Sequence, residues 1–137
     1  MSKQIWKLPV PATAITRGPF FKVLLKRQCE ISFLMDWDGS EEEIALLFDG
    51  VEAFECTYLT SLGSIDREQR KEAYGAVISL EASPWLGKVK GSYLEYCDGA
   101  HLPPKDLQHL MVCFDDGPCY EIICADFAVR DGVSHSR

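Results

Sequence analysis

Two stretches of the sequence each place an Asp-Gly dipeptide between two apolar runs, and this pattern constrains the fold more than any other feature. The first stretch covers residues 44–59 with its turn at 49–50, and the second covers residues 110–124 with its turn at 116–117. Asp-Gly readily adopts the positive φ angles that a tight turn between antiparallel strands requires. Each stretch therefore predicts a β-hairpin.

The likeness between the two stretches has two explanations. They arose by internal duplication, or they use the same turn chemistry independently. The likeness is short and the segments between the two stretches do not match, which favours independent use.

The remaining patterns predict further strands and two helices. Alternating apolar residues predict two strands between residues 20 and 35, and the apolar segment 76–80 predicts another. Residues 64–74 are rich in helix-forming side chains. Ser83-Pro84 supplies an N-cap followed by proline at the first position of a second helix.

Together these elements predict an α+β domain, built on a mainly antiparallel curved sheet of roughly six to eight strands with one or two short helices. The sheet is expected to close over a helix. The length of 137 residues matches a single domain. Residues 1–18, which contain Pro9, Pro11 and Gly18, predict an irregular N-terminal arm, and residues 131–137 predict a flexible tail.

The sequence also indicates a compartment. Pro9 and Pro11 interrupt the apolar core that a signal peptide would need, and no apolar run approaches the roughly twenty residues of a membrane-spanning helix. Six cysteines occur without any Cys-x-x-Cys spacing, which disfavours a zinc site and favours buried, reduced thiols. We expect a cytoplasmic protein that enters no membrane and carries no metal or cofactor.

The acidic character of the chain limits its partners. Asp and Glu number 21 against 14 Lys and Arg, which gives a net charge of -7. An acidic chain repels a phosphate backbone, so nucleic acid is disfavoured as a partner. A basic protein surface is favoured instead.

No residue pattern in the sequence is typical of catalysis. His109 and Cys113 share one face of a predicted strand, but their separation along the chain places them roughly 13 Å apart. Asp36-Trp37-Asp38 resembles the start of a calcium loop, but the glycine comes too early and no suitable glutamate follows. The sequence therefore predicts neither a catalytic nor a metal-binding set of residues.

Acidic side chains beside an aromatic residue form the candidate binding surface. Two aspartates flank Trp37, two more occupy the second Asp-Gly turn, and a glutamate follows in the returning strand. Such residues suit the recognition of a basic partner. The predicted recognition surface consists of Asp36, Trp37, Asp38, Asp115, Asp116 and Glu121.

The Phe-Asp-Gly turn, the Ser83-Pro84-Trp85-Leu86 element and residues 109–124 resemble small uncharacterised bacterial α+β proteins. Some chains of that kind are immunity partners of secreted toxins. The acidity, the compact single domain and the lack of a catalytic set predict a non-catalytic cytoplasmic binding protein. The resemblance implies an immunity-type role, in which the protein masks the basic active site of a toxin-like partner, and it assigns no functional residue.

Two alternative functions stay open. A pocket inside the curved sheet, lined by aromatic residues and by Glu55 or Glu121, would make the chain a small-molecule binder or an enzyme. An exposed sheet edge that pairs with its twin would make it a structural homodimer.

Overall fold

Two antiparallel β-sheets and two α-helices make up the fold. The structure is a computed structural model that describes residues 2–61, 64–114 and 117–131. In chain order the elements are β1 (Ser2–Lys7), β2 (Ile15–Leu24), β3 (Gln28–Trp37), β4 (Ser40–Asp49), β5 (Ala53–Tyr58), α1 (Ser64–Ala73), β6 (Ala76–Leu80), α2 (Pro84–Ala100), β7 (Gln108–Cys113), β8 (Pro118–Cys124) and β9 (Asp126–Asp131).

The strands are divided between a five-stranded sheet, in the order β1-β6-β7-β8-β5, and a four-stranded sheet, in the order β2-β3-β4-β9. Every strand pair is antiparallel. The antiparallel α+β prediction is therefore confirmed in its coarse form. The described residues, however, form nine strands in two sheets, whereas the prediction was a single curved sheet of roughly six to eight strands.

The main hydrophobic core lies between the two sheets. Alternate residues of β3 and β4, such as Phe33 and Phe48, are buried together with Leu110 and Ile122 of β7 and β8. Burying such a side chain contributes about 1.5–3 kcal/mol to the free energy of unfolding. Each sheet has one strongly apolar face, and the two faces cover one another. This packing explains why two layers form instead of one sheet wrapped around a helix.

Helix α1 covers part of the opposite face of the five-stranded sheet. Ala73 at its end is fully buried and packs in a second apolar cluster with side chains from β6, β7 and β8. The members of this cluster are Ala73, Ile78, Leu80, Met111, Cys113 and Cys119. The outer face of the five-stranded sheet is thus the face on which the helices lie.

The hairpin predicted at Asp49-Gly50 is wrong. Strand β4 pairs with β3 and β9, whereas β5 pairs with β8 in the other sheet. The turn carries the chain from the four-stranded sheet to the five-stranded sheet. Two backbone hydrogen bonds fix it there: Ala125 N–H donates to Asp49 O over 3.0 Å, and Glu52 N–H donates to Ile123 O over 2.8 Å. Gly50 has a φ of +66°, and a Cβ placed there would lie 2.8 Å from the Ala125 Cβ. The dipeptide therefore serves a tight crossing instead of a hairpin.

Two other turns do connect paired strands. Strands β7 and β8 form the second predicted hairpin, which is confirmed by the pairing of Cys113 with Cys119. Strands β3 and β4 form a further hairpin whose turn, Asp38-Gly39, has φ values of 58° and 76°. Two consecutive positive φ values are typical of a two-residue type I′ turn.

Helix α2 is longer than its sequence pattern indicates. It runs past Gly87 and Gly91 to Ala100, although each glycine weakens a helix by about 1 kcal/mol relative to alanine. Ser83 caps its first turn, accepting a hydrogen bond from Leu86 N–H over 3.0 Å. A well-formed N-terminus therefore helps to offset the glycines.

The chain ends take part in the sheets. Within the segment 1–18, the residues of β1 pair with β6, and β2 begins at Ile15. At the other end β9 closes at Asp131, and residues 132–137 lie outside the described residues. Neither helix in the described part of the chain has the length and apolar character that crossing a bilayer requires.

Candidate functional site

The outer face of the five-stranded sheet holds a cleft of about 520 Å³ beside the start of α2. Its floor comes from β5, β6, β7 and β8, and the first residues of α2 form one wall. The described lining residues are Glu55, Gln69, Leu80, Glu81, Ala82, Ser83, Pro84, Trp85, His109 and Glu121. Polar and aromatic side chains thus converge on one concave surface.

Strand alternation explains how the polar side chains reach this face. Leu110 and Ile122 point into the core between the sheets. Their neighbours His109 and Glu121 must therefore point to the outer face, because successive side chains of a strand alternate. The antiparallel register pairs His109 with Ile123, which places Glu121 one diagonal step away.

A hydrogen-bonded chain joins Ser83, His109 and Glu121. The His109 Nε2 atom lies 2.8 Å from Glu121 Oε1, and its Nδ1 atom lies 2.7 Å from Ser83 Oγ. With a neutral imidazole, one tautomer satisfies all partners: Nε2–H donates to the carboxylate and the Ser83 hydroxyl donates to Nδ1. Ser83 Oγ also accepts the hydrogen bond from Leu86 N–H.

Burial makes this arrangement rigid. His109 is only 4% exposed, and the Glu121 side chain is 16% exposed. The rings of Trp85 and His109 form a T-shaped contact, with a centroid distance of 5.1 Å and an interplanar angle of 83°. Hydrogen bonds in such a water-poor setting hold their partners firmly. The orientation of the Glu121 carboxylate is therefore fixed before any ligand arrives.

The cleft is acidic. Glu55 on β5 lies directly opposite Glu121 on β8, and Glu81 adds a third carboxyl group to the lining. Among the described lining residues there is no lysine or arginine. Carboxyl groups on one concave surface favour a cationic ligand and disfavour an anionic one.

The Ser83–His109–Glu121 order resembles the nucleophile, base and acid of serine hydrolases. A nucleophilic serine must present its oxygen to a substrate carbonyl. Here Ser83 Oγ accepts the hydrogen bond from Leu86 N–H, which ties the oxygen to the first turn of α2 as its helix cap. The geometry suits a positioning network better than a nucleophile.

The predicted recognition surface is divided by the structure. Asp36, Trp37 and Asp38 lie at the tip of the β3–β4 hairpin in the four-stranded sheet, where Trp37 is 47% exposed. Glu121 lies in the cleft, on the far side of the five-stranded sheet. Asp115 and Asp116 are outside the described residues. The structure therefore does not bring Glu121 together with the hairpin tip.

Three side chains that hold or flank the Glu121 carboxylate are absent from the predicted site. The sequence indicates Ser83 only as an N-cap and His109 only as a strand histidine, and it places Trp85 only in the Ser83-Pro84-Trp85-Leu86 element. The available signal is the register of the β7–β8 hairpin, which places His109 and Glu121 on one face. Nothing in the local sequence indicates that the start of α2 meets them there.

The described residues contain no metal centre, and the chain matches no known family. Within residues 2–61, 64–114 and 117–131, no group of three or more histidine, cysteine, aspartate or glutamate side chains is arranged to hold a metal ion. Comparisons of the chain with protein-family models, curated proteins and solved structures found no match. The resemblance to toxin-immunity proteins consequently stays a prediction.

Proposed function

We propose that the chain is a binding protein without catalytic activity, and that its cleft receives a cationic group such as an amine or a guanidinium. The observation that carries this proposal is the carboxylate of Glu121, held by His109 inside a cleft whose wall is Trp85. A preformed carboxylate gives a cation a charge-assisted hydrogen bond, and an indole face adds a cation–π contact.

The overall charge supports the same chemistry. A net charge of -7 attracts cations over distances up to the Debye length, which is about 8 Å at physiological ionic strength. Association should therefore be faster at low salt.

Two sources can supply the cationic group. One is a free small molecule that carries an amine or guanidinium. The other is a lysine or arginine side chain of a basic protein, which includes the toxin-like partner that an immunity-type role in the cytoplasm implies. Both sources would place the same charged atoms against Glu121.

Fluorescence of Trp85 tests the proposal directly. Trp6→Phe and Trp37→Phe leave Trp85 as the single indole, because the chain has three tryptophans. Titrations with agmatine and with a short arginine-containing peptide separate the two sources. Saturable quenching by either probe supports the cleft, and the tighter probe identifies the source. No quenching by either probe would contradict the proposal.

A pair of charge-matched variants locates the binding. Glu121→Gln removes one negative charge in the cleft, and Glu41→Gln removes one on the exposed β3–β4 hairpin. We expect Glu121→Gln to weaken binding at least tenfold, about 1.4 kcal/mol, and Glu41→Gln to leave it unchanged. Equal losses in both variants would mean that only overall charge matters, and would contradict the proposal.

The β3–β4 hairpin is a second candidate for recognition. Trp37 is a large aromatic side chain that is 47% exposed between two exposed aspartates, and exposed tryptophans of this kind are typical interface hot spots. A basic partner isolated from the native host and then purified should lose affinity for Trp37→Ala if the hairpin binds it. The same partner should lose affinity for Glu121→Gln if the cleft binds it.

A further inference from the structure

Cys113 and Cys119 face each other across the β7–β8 hairpin. They are register partners, both are fully buried, and both side chains belong to the apolar cluster beneath α1. Each lies on the outer face of the five-stranded sheet, since Cys119 is two residues from Glu121. The two thiols therefore share one small volume.

The ladder geometry suits a covalent bond between them. Phe114 N–H donates to Pro118 O over 3.2 Å, so the hydrogen bond flanks the Cys113–Cys119 pair and the pair itself is not hydrogen-bonded through its backbone. Such pairs have Cα atoms about 4.5 Å apart. Disulfides accept Cα separations of about 4.4–6.8 Å. A bridge can thus form without changing the strand register.

The two thiols are chemically unequal. A hydrogen bond from the Cys113 thiol lowers the pKa of Cys119, and the nearby Arg70 guanidinium lowers it further, against the opposing effect of burial. The same hydrogen bond, followed by burial, raises the pKa of Cys113. Cys119 therefore has the character of an attacking thiolate, and Cys113 that of a resolving thiol.

Arg70 is positioned for this role. Its Nη2 atom lies 3.5 Å from Phe114 O, and its guanidinium carbon lies 5.5 Å from the centre of the Tyr74 ring. Among the described side chains, the buried Nε of Arg70 has no hydrogen-bond partner. A partly buried guanidinium beside a thiol stabilises the thiolate form.

In the described strands, Cys29, Cys56 and Cys124 have no cysteine as a register partner. Burial raises the pKa of Cys124 to about 12, and burial also raises the pKa of Cys29. Cys56 is exposed on β5, where its register partner is Tyr120 and not a cysteine. Cys56 therefore serves as an internal control for unspecific oxidation.

We propose that Cys113 and Cys119 are a site of reversible oxidation, at which a peroxide closes a disulfide across the β7–β8 hairpin. The Cys119 thiolate attacks one peroxide oxygen and the O–O bond breaks, giving a sulfenic acid and hydroxide, which the departed thiol proton converts to water. Cys113 then attacks the sulfenic sulfur. The S–S bond forms as the S–O bond breaks, and the leaving hydroxide takes the Cys113 proton as a second water. Two electrons pass from the two thiols to one hydrogen peroxide.

Access to the thiols sets the rate of this reaction. Because both thiols are fully buried, peroxide reaches them only through local opening of the structure around the pair. The disulfide should consequently form more slowly than Cys56 reacts, but it should be the stable product because Cys113 is already in contact. A reducing dithiol restores both cysteines.

Peptide mass spectrometry of the reduced, native protein tests the inference. After treatment with hydrogen peroxide and alkylation, we expect peptides containing Cys113 and Cys119 to have lost two hydrogens, and dithiothreitol to reverse the change. The Cys56→Ser variant should give the same disulfide. If Cys113 and Cys119 are still alkylated as free thiols, in protein unfolded before alkylation and after the reaction with peroxide has run to completion, the inference is wrong.

Two variants separate the roles of the thiols without relying on the wild-type result. Cys113→Ser should form no disulfide and should accumulate a sulfenic acid on Cys119 that dimedone traps. Arg70→Leu should slow the formation of the disulfide several-fold at neutral pH. Circular dichroism verifies that each variant is folded, and an unchanged rate in a folded Arg70→Leu protein would remove Arg70 from the proposal.

Discussion

The cleft and the β3–β4 hairpin tip contain similar side chains in different surroundings. Both combine carboxyl groups with one tryptophan, but Trp37 is 47% exposed, whereas Glu121 is bound by the buried His109. Exposed ion pairs contribute about 0–1 kcal/mol because water screens them and the side chains are mobile. Composition therefore shows whether a surface is positively or negatively charged, but burial and hydrogen bonding decide whether a charged side chain is fixed in place.

The largest difference between the two regions should appear when His109 is replaced. His109→Ala leaves the half-buried Glu121 carboxylate and the Ser83 hydroxyl without their partner, so we expect a loss of about 3 kcal/mol in the free energy of unfolding. Urea denaturation measures the loss. The matched variant Trp37→Ala on the hairpin should cost far less, and equal losses would show that the cleft is no more rigid than the tip.

A smaller effect is expected from the helix cap. Ser83→Ala removes both the acceptor for Leu86 N–H and the hydroxyl that meets His109, which should cost about 1–2 kcal/mol. Amide hydrogen exchange should accelerate in the first turn of α2. Ser92→Ala, an exposed change farther along the same helix, is the control and should leave exchange at the first turn unaltered.

The smallest effect on stability is expected at the hairpin itself. Trp37→Ala and Asp36→Asn alter exposed side chains, so each should change the free energy of unfolding by less than about 0.5 kcal/mol. If the hairpin binds a basic partner, Asp36→Asn should nevertheless slow association by an amount that shrinks as salt is raised, whereas Trp37→Ala should mainly speed dissociation. A large loss of stability would mean that the tip is structurally fixed after all.

The sequence predicted much of the local structure. Strand β6, helix α1, the N-cap at Ser83 and the β7–β8 hairpin all follow patterns that depend on near neighbours. The hairpin prediction failed at Asp49-Gly50. An Asp-Gly dipeptide specifies backbone angles, but it does not specify which strands pair on either side, since that depends on where each apolar face is buried.

Asp38-Gly39 is the opposite case, a hairpin turn that was not predicted from the sequence. It forms the tight hairpin turn between β3 and β4, yet in the sequence it resembles only part of an incomplete calcium loop. Acidic residues on both sides of the dipeptide interrupt the alternation of apolar and polar residues from which the two strands would otherwise be predicted. Turn chemistry is present at both dipeptides, and only tertiary packing distinguishes them.

The candidate site was partly predictable. Glu121 is among the predicted binding residues, and the β7–β8 register adds His109 as its neighbour. The remaining member, Ser83, reaches the pair only because α2 begins above β7. Helix placement over a sheet arises from contacts between segments that are distant in sequence, so no local pattern records it.

The double role of Ser83 offers a way to detect a ligand in the cleft. One hydroxyl group serves the first turn of α2 and the imidazole of β7, so any molecule that rotates that imidazole must also disturb the backbone amides of the helix start. Chemical shifts of Leu86 and Gly87 can therefore report occupancy of the cleft at a distance. A library of amines and guanidines could be screened by NMR in this way, with no reporter group attached to either the protein or the compounds.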